Sequence, residues 1–436
     1  MDNGCEVFAK LPNPNAGATR FTIASEIATR KLLSEVLDVP VPRVLACSFD
    51  ASNSPVGAEY IIEEKRPAFI SALFGVNGLE NTLAGVTFDM HGCIYFKDDL
   101  RSLGEEPKEA NIQSDTTDIP DIFAIGPLTT GELWNGVRSG MDLDRGPWKD
   151  PSEYTRALGR NEIAEYPEDG LALLDKYMKV APHLTPQPTN GVASEGAPSN
   201  NVLMHPDLHL DNIFVDPVTL QITRIVDWQS ARVAPLFYHA DVPRMCAYRG
   251  PLPEGWAVPE RSEDFGSLSA EEQRKIDDDL ESQILHKYYE AQVYRRSPRY
   301  WSVLKDMRIP IFRKLVWLVT EAWENRDLFF LRESLMSLFA HWEELVPGVP
   351  CPINFTIEDV ELHSEEEENI NGVGEMLRLF RDESVLPVDG MVDPKDYDIA
   401  QKNSRELKDT FIGLAKNDEE RELFTRLWPY QEPAET

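Results

Sequence analysis

Residues 203–229 constrain the fold of this chain more than any other stretch. They contain Asp207, then Asn212 five positions later, and Asp227 twenty positions after Asp207. Two short apolar runs between Asn212 and Asp227 flank an Asp-Pro turn pair, which predicts a β-hairpin. Because a hairpin brings its two ends together, we expect Asp227 to lie near Asn212, with Asp207 on the preceding loop.

The spacing of these side chains is typical of phosphoryl-transfer chemistry. The pattern His205-x-Asp207-Leu208-x-x-x-Asn212 matches a kinase catalytic loop, in which the Asp accepts the proton of the substrate hydroxyl and the Asn binds Mg²⁺. Asp227 supplies a second oxygen of the kind that Mg²⁺ prefers. The alternative interpretation is that these residues are turn carboxylates and an Asx cap without a catalytic role.

The N-terminal region offers a Lys and a Glu on successive elements. Lys10 ends a short predicted strand, and Glu26 lies near the start of a predicted helix over residues 22–37, which would be capped by Thr22 or Ser25. In a kinase small lobe, a strand Lys held by a helix Glu contacts the α- and β-phosphates of ATP. Lys and Glu are common, so a solvated pair is an equally good interpretation of these two residues alone.

Two further strands are predicted, at residues 43–48 and 58–63, and the second leads into a hinge at Glu63–Lys65. The backbone of Glu63 and Lys65 could bind adenine there. The strand that contains Lys10 follows Asn3-Gly4, a strong hairpin-turn signal that has no preceding strand in this sequence.

The remainder of the chain is predicted to be largely helical. We expect a buried helix at 170–180 and helical structure within 309–345. Residues 269–295 are predicted to be amphipathic, with Leu280, Ile284, Leu285, Tyr288 and Tyr289 on the apolar side. Residues 309–345 are rich in apolar and aromatic residues that we assign to the core: Trp317, Trp323, Phe329, Phe330, Leu335, Leu338, Phe339 and Trp342. The acidic run 365–368 is expected to be a solvated loop or helix start, followed by helices at 373–382 and 404–428.

Composition excludes several classes of function. The net charge of −32 over 436 residues argues against binding to nucleic acid or to anionic membranes, and it would suit a cationic substrate. No run of 18 apolar residues predicts a membrane span. Five scattered cysteines indicate reduced thiols in an intracellular compartment, and the first residues do not form a signal or transit peptide.

The blocks His205–Ile213 and Ile225–Gln229 resemble the aminoglycoside phosphotransferase (kinase-like) family. Within it, the chain is similar to the fungal branch called altered inheritance of mitochondria protein 9, through residues 9–12, 24–29, 39–42, 57–61, 143–147 and 350–352. The similarity extends to about residue 360.

The resemblance implies an α+β, bilobal, protein-kinase-like fold. Residues 1–66 would form a truncated small lobe with an antiparallel sheet and one helix, 67–345 a larger, mostly helical lobe that includes the catalytic loop, and 346–436 a helical extension. ATP and Mg²⁺ would bind between the lobes.

The family roles carry over residue by residue. Asp207 would be the catalytic base, Asn212 and Asp227 the Mg²⁺ ligands, Lys10 the phosphate-binding lysine and Glu26 its partner. His205 and His209 would be structural residues of the loop, and His209 could also face the substrate. A zinc site formed by His205, Asp207 and His209 is a disfavoured alternative, because alternate positions on an extended loop close a tetrahedron poorly.

Two departures from the family pattern leave two hypotheses open. The family places two strands and a phosphate-covering loop before the Lys strand, whereas this sequence starts at their closing turn. The helix that the family has after the hinge is short or missing here around 66–80. The first hypothesis is a kinase that phosphorylates a small-molecule hydroxyl, with a nucleotide and an unknown acceptor as partners. The second is a pseudokinase-like interaction protein. A mitochondrial location is implied by the family alone, with the cytoplasm as the alternative, and the oligomeric state stays open.

Overall fold

A computed structural model describes residues 6–12, 17–65, 69–70, 76–109, 111–114, 117–164, 170–186, 201–219, 221–262, 264–322, 328–383 and 394–428. The chain forms two compact units, residues 1–353 and 354–436. The fold is mixed, with small antiparallel sheets and many helices, which confirms the predicted α+β class. The turn pair Asn3-Gly4 lies outside the described residues.

The first unit begins with a three-stranded antiparallel sheet and one helix. The strands are β1 (Val7–Lys10), β2 (Val44–Ser48) and β3 (Tyr60–Glu64), in the order β1-β3-β2. The helix α1 (Thr19–Lys31) lies between β1 and β2 in the chain and continues into a π-helical turn, Leu32–Val36. Strand β1 pairs with β3 so that Lys10 faces Ile61 across the ladder.

Nine further strands follow among the described residues of the first unit. They are β4 (Phe69–Ile70), β5 (Val86–Phe88), β6 (Cys93–Phe96), β7 (Ile112–Ser114), β8 (Phe123–Gly126), β9 (Asn201–Met204), β10 (Ile213–Val215), β11 (Ile222–Ile225) and β12 (Arg232–Pro235). Their sheets have the orders β11-β10-β4, β12-β9-β5-β7 and β6-β8. Strands β10 and β11 form the hairpin predicted between Asn212 and Asp227, with Ile213 opposite Ile225.

The described helices after α1 are numbered in chain order. In the first unit they are α2 (Val76–Ala84), α3 (Lys97–Ser102), α4 (Pro151–Ile163), α5 (Leu171–Val180), α6 (Leu236–His239), α7 (Ala270–Arg296), α8 (Pro298–Leu304), α9 (Arg308–Thr320), α10 (Phe329–Ala340) and α11 (Trp342–Leu345). The second unit contains α12 (Ile357–Glu383), α13 (Tyr397–Gly413) and α14 (Asp418–Leu427). The helix predicted at 170–180 is α5.

A hydrophobic core joins the α1 region to the strands on either side of the loop 205–212. Leu32 and Leu33 pack in one cluster with Leu203 of β9, Ile225 of β11 and Trp228. Trp228 is completely buried, and its indole N–H donates to the Ile225 carbonyl at 3.1 Å. Because Trp228 follows Asp227 directly, this burial fixes where the hairpin ends.

The start of α1 differs from the prediction. The helix begins at Thr19 with Ala18 as its N-cap, and Thr22 and Ser25 are buried inside it. The Thr22 hydroxyl donates to the Ala18 carbonyl at 2.9 Å instead of accepting from a backbone N–H at a helix start. Both cap assignments were therefore wrong: they placed the helix start at hydroxyl residues that pack inside it.

Helix α7 is present as predicted, but its apolar side is only partly buried. Ser269 caps it in a reciprocal pair with Glu272. Of the five residues on the predicted apolar side, Tyr289 is buried, whereas Ile284 and Tyr288 are exposed. Leu280 and Leu285 are intermediate. The periodicity identified the helix correctly and overestimated how much of it the fold covers.

The aromatic residues of 309–345 are likewise divided between core and surface. Phe329, Leu335, Leu338 and Trp342 are buried as predicted, but Trp317, Phe330 and Phe339 are exposed on α9 and α10. Trp323 lies outside the described residues. Aromatic content alone was therefore a poor guide to burial here.

Two predictions for the second unit are corrected. The acidic run 365–368 lies within the 27-residue helix α12 rather than in a loop or at a helix start. The predicted helix 404–428 is divided between α13 and α14, with Asn417 capping the second by accepting from the Glu420 N–H. The prediction of one continuous helix missed the N-cap at Asn417.

Candidate functional site

Lys10 lies at the centre of the residues that the sequence singled out. Its ammonium Nζ is 3.2 Å from Glu26 Oε2 and 2.8 Å from Asp227 Oδ1. Burial by itself would lower the pKa of Lys10, but the charges of Glu26 and Asp227 outweigh it and the pKa is raised. Lys10 is therefore a fixed cation between a helix carboxylate and the carboxylate at the end of the hairpin.

Arg30 continues this network on the other side of Glu26. Glu26 is 3% exposed, and its Oε1 lies 3.4 Å from the Arg30 guanidinium one helical turn later. Arg30 also contacts Glu63 Oε2 at 2.7 Å and donates to the Pro42 carbonyl at 2.6 Å. The carboxylate of Glu63 on β3 is thus bound to helix α1. This contact connects β3 to the pair formed by Lys10 and Glu26.

Asn212 and Asp227 converge as the hairpin prediction requires. The Val226 N–H donates to the Asn212 carbonyl at 3.0 Å, directly before Asp227. Asp227 has φ of 61°, in the left-handed region that Asp tolerates better than most residues. Both side chains line one cleft together with Lys10.

His205 connects the loop to the hairpin end. Its Nδ1 accepts the Asp207 N–H at 3.2 Å, so Nε2 carries the proton and donates to the Val226 carbonyl at 2.8 Å. The ring also packs edge-on against Trp228 at 4.5 Å. Burial lowers the pKa of His205, so the ring stays neutral at physiological pH and acts as a brace between Asp207 and Asp227.

Asp207 is directed outward, and its neighbours are polar. The side chain is 73% exposed, and Oδ2 lies 3.4 Å from His209 Nε2. The Asn212 amide nitrogen donates to the Asp207 carbonyl at 2.9 Å and is 3.1 Å from His209 Nε2. The bond to Asp207 orients the Asn212 amide and leaves its oxygen as the atom suited to a cation.

The cleft has a volume of about 400 Å³ and contains aromatic side chains that the sequence analysis did not single out. Phe8 lies on β1 two residues before Lys10, and Phe214 lies on β10 two residues after Asn212. Phe8 is 55% exposed in spite of its apolar ring. Alternation along a strand places residues i and i+2 on one face, and this was the available signal for Phe8 beside Lys10.

The predicted hinge is only partly arranged as expected. Glu63 and Lys65 line the cleft, but the Lys65 side chain is exposed and lies 3.4 Å from Glu6. The Glu64 N–H donates to the Arg43 carbonyl at 3.1 Å, and the Lys65 N–H to the Glu6 carbonyl at 3.4 Å. These two backbone donors already have partners, unlike the free hinge donors that the adenine prediction assumes.

The donor set fits a hard cation better than zinc. Among the described residues, no three His, Cys, Asp or Glu side chains form a group that could hold a metal ion. Asn212 and Asp227 instead offer one amide and one carboxylate oxygen in a shared cleft, the kind of incomplete set that Mg²⁺ completes with water and phosphate. Lys10 contacts the same Asp227 carboxylate, so a metal ion bound there would share that ligand with the ammonium.

Similar proteins come from fungi. The chain is 27% identical to a subtelomeric hrmA-associated cluster protein of Aspergillus fumigatus, across 99% of this chain and 93% of that protein. It is 22% identical to Altered inheritance of mitochondria protein 9, mitochondrial, of Saccharomyces cerevisiae, across 83% of this chain and 66% of that protein. The corresponding protein of Eremothecium gossypii is also 22% identical, across 79% of this chain.

These similarities support the fungal branch named from the sequence. No protein-family profile matches the chain. In the part of the chain that the structure describes, no helix is long and apolar enough to cross a membrane.

Proposed function

We propose that this protein is an ATP- and Mg²⁺-dependent phosphotransferase that acts on a small-molecule hydroxyl. The observation that carries the proposal is the position of Lys10 between Glu26 and Asp227, at the end of the hairpin that begins at Asn212. A turn carboxylate without a function would not require a partly buried lysine from a strand 217 residues away.

The cleft also has features suited to a nucleotide base. Phe8 and Phe214 supply apolar rings, and Glu63 and Lys65 line the same space. Adenine would stack against the two rings. Because the N–H groups of Glu64 and Lys65 already donate to carbonyls, ring contacts would contribute more to base binding here than hinge hydrogen bonds.

The proposed reaction assigns one role to each of the main residues. Asp207 accepts the proton of the acceptor hydroxyl, whose oxygen bonds to the γ-phosphorus while the bond to the β,γ-bridging oxygen breaks. Lys10 keeps its contact with Glu26 and neutralises phosphate charge. Asn212 and Asp227 would hold Mg²⁺, which supplies charge neutralisation at the β- and γ-phosphates.

The proposal includes the coarse architecture and the location. The β1-β3-β2 sheet with α1 would correspond to the small lobe of a kinase-like fold, and the elements around β9–β12 to the large lobe. A mitochondrial location is proposed because the yeast relative carries that location in its name.

Nucleotide binding is tested by calorimetry on the full chain with Mg²⁺·ATP. We expect saturable binding that Asp227→Ala weakens at least tenfold, while Asp211→Ala, an exposed control on the same loop, leaves the Kd unchanged. Asp207→Asn should keep Mg²⁺·ATP binding and lose transfer by roughly 100-fold or more, as expected for removal of a general base. Equal binding by wild type and Asp227→Ala would contradict the proposed metal site.

The second candidate function is a pseudokinase-like interaction protein. It is favoured by the occupied hinge donors at Glu64 and Lys65. Binding of Mg²⁺·ATP without any Asp207-dependent phosphate transfer would support this candidate over the enzyme.

A further inference from the structure

A second cavity lies beside the loop 205–212, apart from the Lys10 cleft. Its volume is about 210 Å³, and it is enclosed by α2, β9, the loop itself and the segment that begins at α6. Pro206 and Leu208, the two neighbours of Asp207, are part of its wall. It shares no lining residue with the cleft that contains Lys10 and Asp227.

The wall of this cavity combines apolar side chains with polar ones. Leu79 and Leu83 of α2, Leu203 of β9 and Leu236 of α6 line it together with the two loop residues. Leu79, Leu83 and Leu203 also belong to the buried core, so the wall is part of the packed interior rather than a surface loop. A ligand here would gain affinity mainly by burying an apolar body.

One buried polar atom in the wall has no partner. His239 Nε2 is inaccessible to solvent and makes no hydrogen bond. Burial lowers the pKa of His239 to about 3, and the ring bonds to the Ala234 carbonyl through its other nitrogen. His239 is therefore neutral, and Nε2 is a hydrogen-bond acceptor that requires a donor. Leaving such an atom unpaired costs free energy, and a ligand donor would recover it.

The other polar groups of the wall are also mainly acceptors. Glu80 Oε2 accepts from the Tyr289 hydroxyl at 2.8 Å, and no basic side chain among the described residues pairs with Glu80. Asp241 is neutralised by Arg313 at 3.0 Å. Burial raises the pKa of Glu80 to about 7, so at pH 8 its carboxylate is ionised and needs a donor or a cation.

We propose that this cavity binds a small molecule with an apolar body and one hydrogen-bond-donating head group, a hydroxyl or an amine, which contacts His239 and Glu80.

The head-group preference is tested at pH 8 with three probes that share one body: benzyl alcohol, benzylamine and benzoate. Ligand-observed NMR on the full chain gives each Kd. The alcohol and the amine should bind at least about tenfold more tightly than benzoate, whose carboxylate faces two acceptors. Absence of saturable binding by all three probes, or benzoate binding as tightly as the others, overturns the proposal.

Two variants locate the binding. Ala84→Leu, which extends a side chain into the cavity from the end of α2, should weaken binding of every probe at least tenfold while circular dichroism stays unchanged. An unchanged Kd in that folded variant overturns the location. If Ala84→Leu does not fold, Glu80→Gln decides: it should weaken benzylamine at least fivefold and benzyl alcohol little, and equal effects on both contradict the proposal.

The two proposals fail in different ways. Asp227→Ala should leave probe binding unchanged, because Asp227 does not line this cavity. If the probes bind and Mg²⁺·ATP does not, the phosphotransferase proposal fails and the ligand site stands.

Discussion

Replacing Glu80 by Gln should change how the stability of this protein depends on pH. Glu80 lies on α2, its carboxylate accepts a hydrogen bond from the Tyr289 hydroxyl at 2.8 Å, and burial raises the pKa of its carboxyl from 4.5 to about 7. The folded state therefore favours the protonated form. Gln keeps the shape and an acceptor oxygen for Tyr289 and removes the proton equilibrium.

The sign follows from where each state releases the proton. Below pH 4.5 Glu80 is protonated in the folded and the unfolded chain, and its contribution to stability is fully present. Between pH 4.5 and about 7 only the unfolded chain releases the proton, so the free energy of unfolding falls as pH rises. The rise in pKa corresponds to a total loss of about 3 kcal/mol, complete above pH 7.

The neighbouring titratable groups do not change charge in this range. Burial raises the pKa of Tyr289 and of Tyr300, and it raises the pKa of Cys246 to about 12. These three side chains stay neutral between pH 5.5 and 8. Asp241, paired with Arg313, is identical in both proteins and cancels in the comparison.

The assay is urea unfolding of wild type and Glu80→Gln at pH 5.5 and pH 8, both above the sequence pI of 4.6 to avoid precipitation. The difference between the two proteins should shift by about 2 kcal/mol in favour of Gln from the lower to the higher pH. Glu281→Gln, at an exposed position on α7, serves as the control and should show no such shift. A difference that is the same at both pH values would refute the buried, neutral state of Glu80.

Three further predictions concern the Lys10 cleft. Glu26→Gln removes the carboxylate between Lys10 and Arg30 and should lower the free energy of unfolding by about 3 kcal/mol. The control Glu35→Gln, in an exposed pair, should lower it by under about 1 kcal/mol. Equal effects of the two substitutions in urea unfolding would contradict the buried network. Phe214→Ala should raise the Kd of Mg²⁺·ATP roughly tenfold by loss of one stacking ring, measured by calorimetry, and an unchanged Kd would remove Phe214 from the base site. His205→Phe removes the hydrogen bond to the Val226 carbonyl and the one from the Asp207 N–H, so Mg²⁺·ATP affinity should fall about tenfold; wild-type affinity would show that the brace is dispensable.

Local spacing in the sequence was sufficient for the loop and the hairpin. The distance from Asn212 to Asp227, the Asp-Pro turn and the apolar runs predicted a hairpin that β10 and β11 confirm. These features depend on residues close in the chain, where turn chemistry and strand alternation determine the conformation. The strand with Lys10 and the helix with Glu26 were predicted for the same reason.

The sequence by itself therefore determined which helices and strands form around the site and which polar side chains lie at their ends. Only the tertiary structure decided that Lys10 contacts Asp227, that Arg30 joins Glu26 to Glu63, and that Trp317 is exposed while Glu80 is buried. Each of these depends on which faces of distant elements pack together. Burial and pairing are properties of that packing, and no local pattern of residues encodes them.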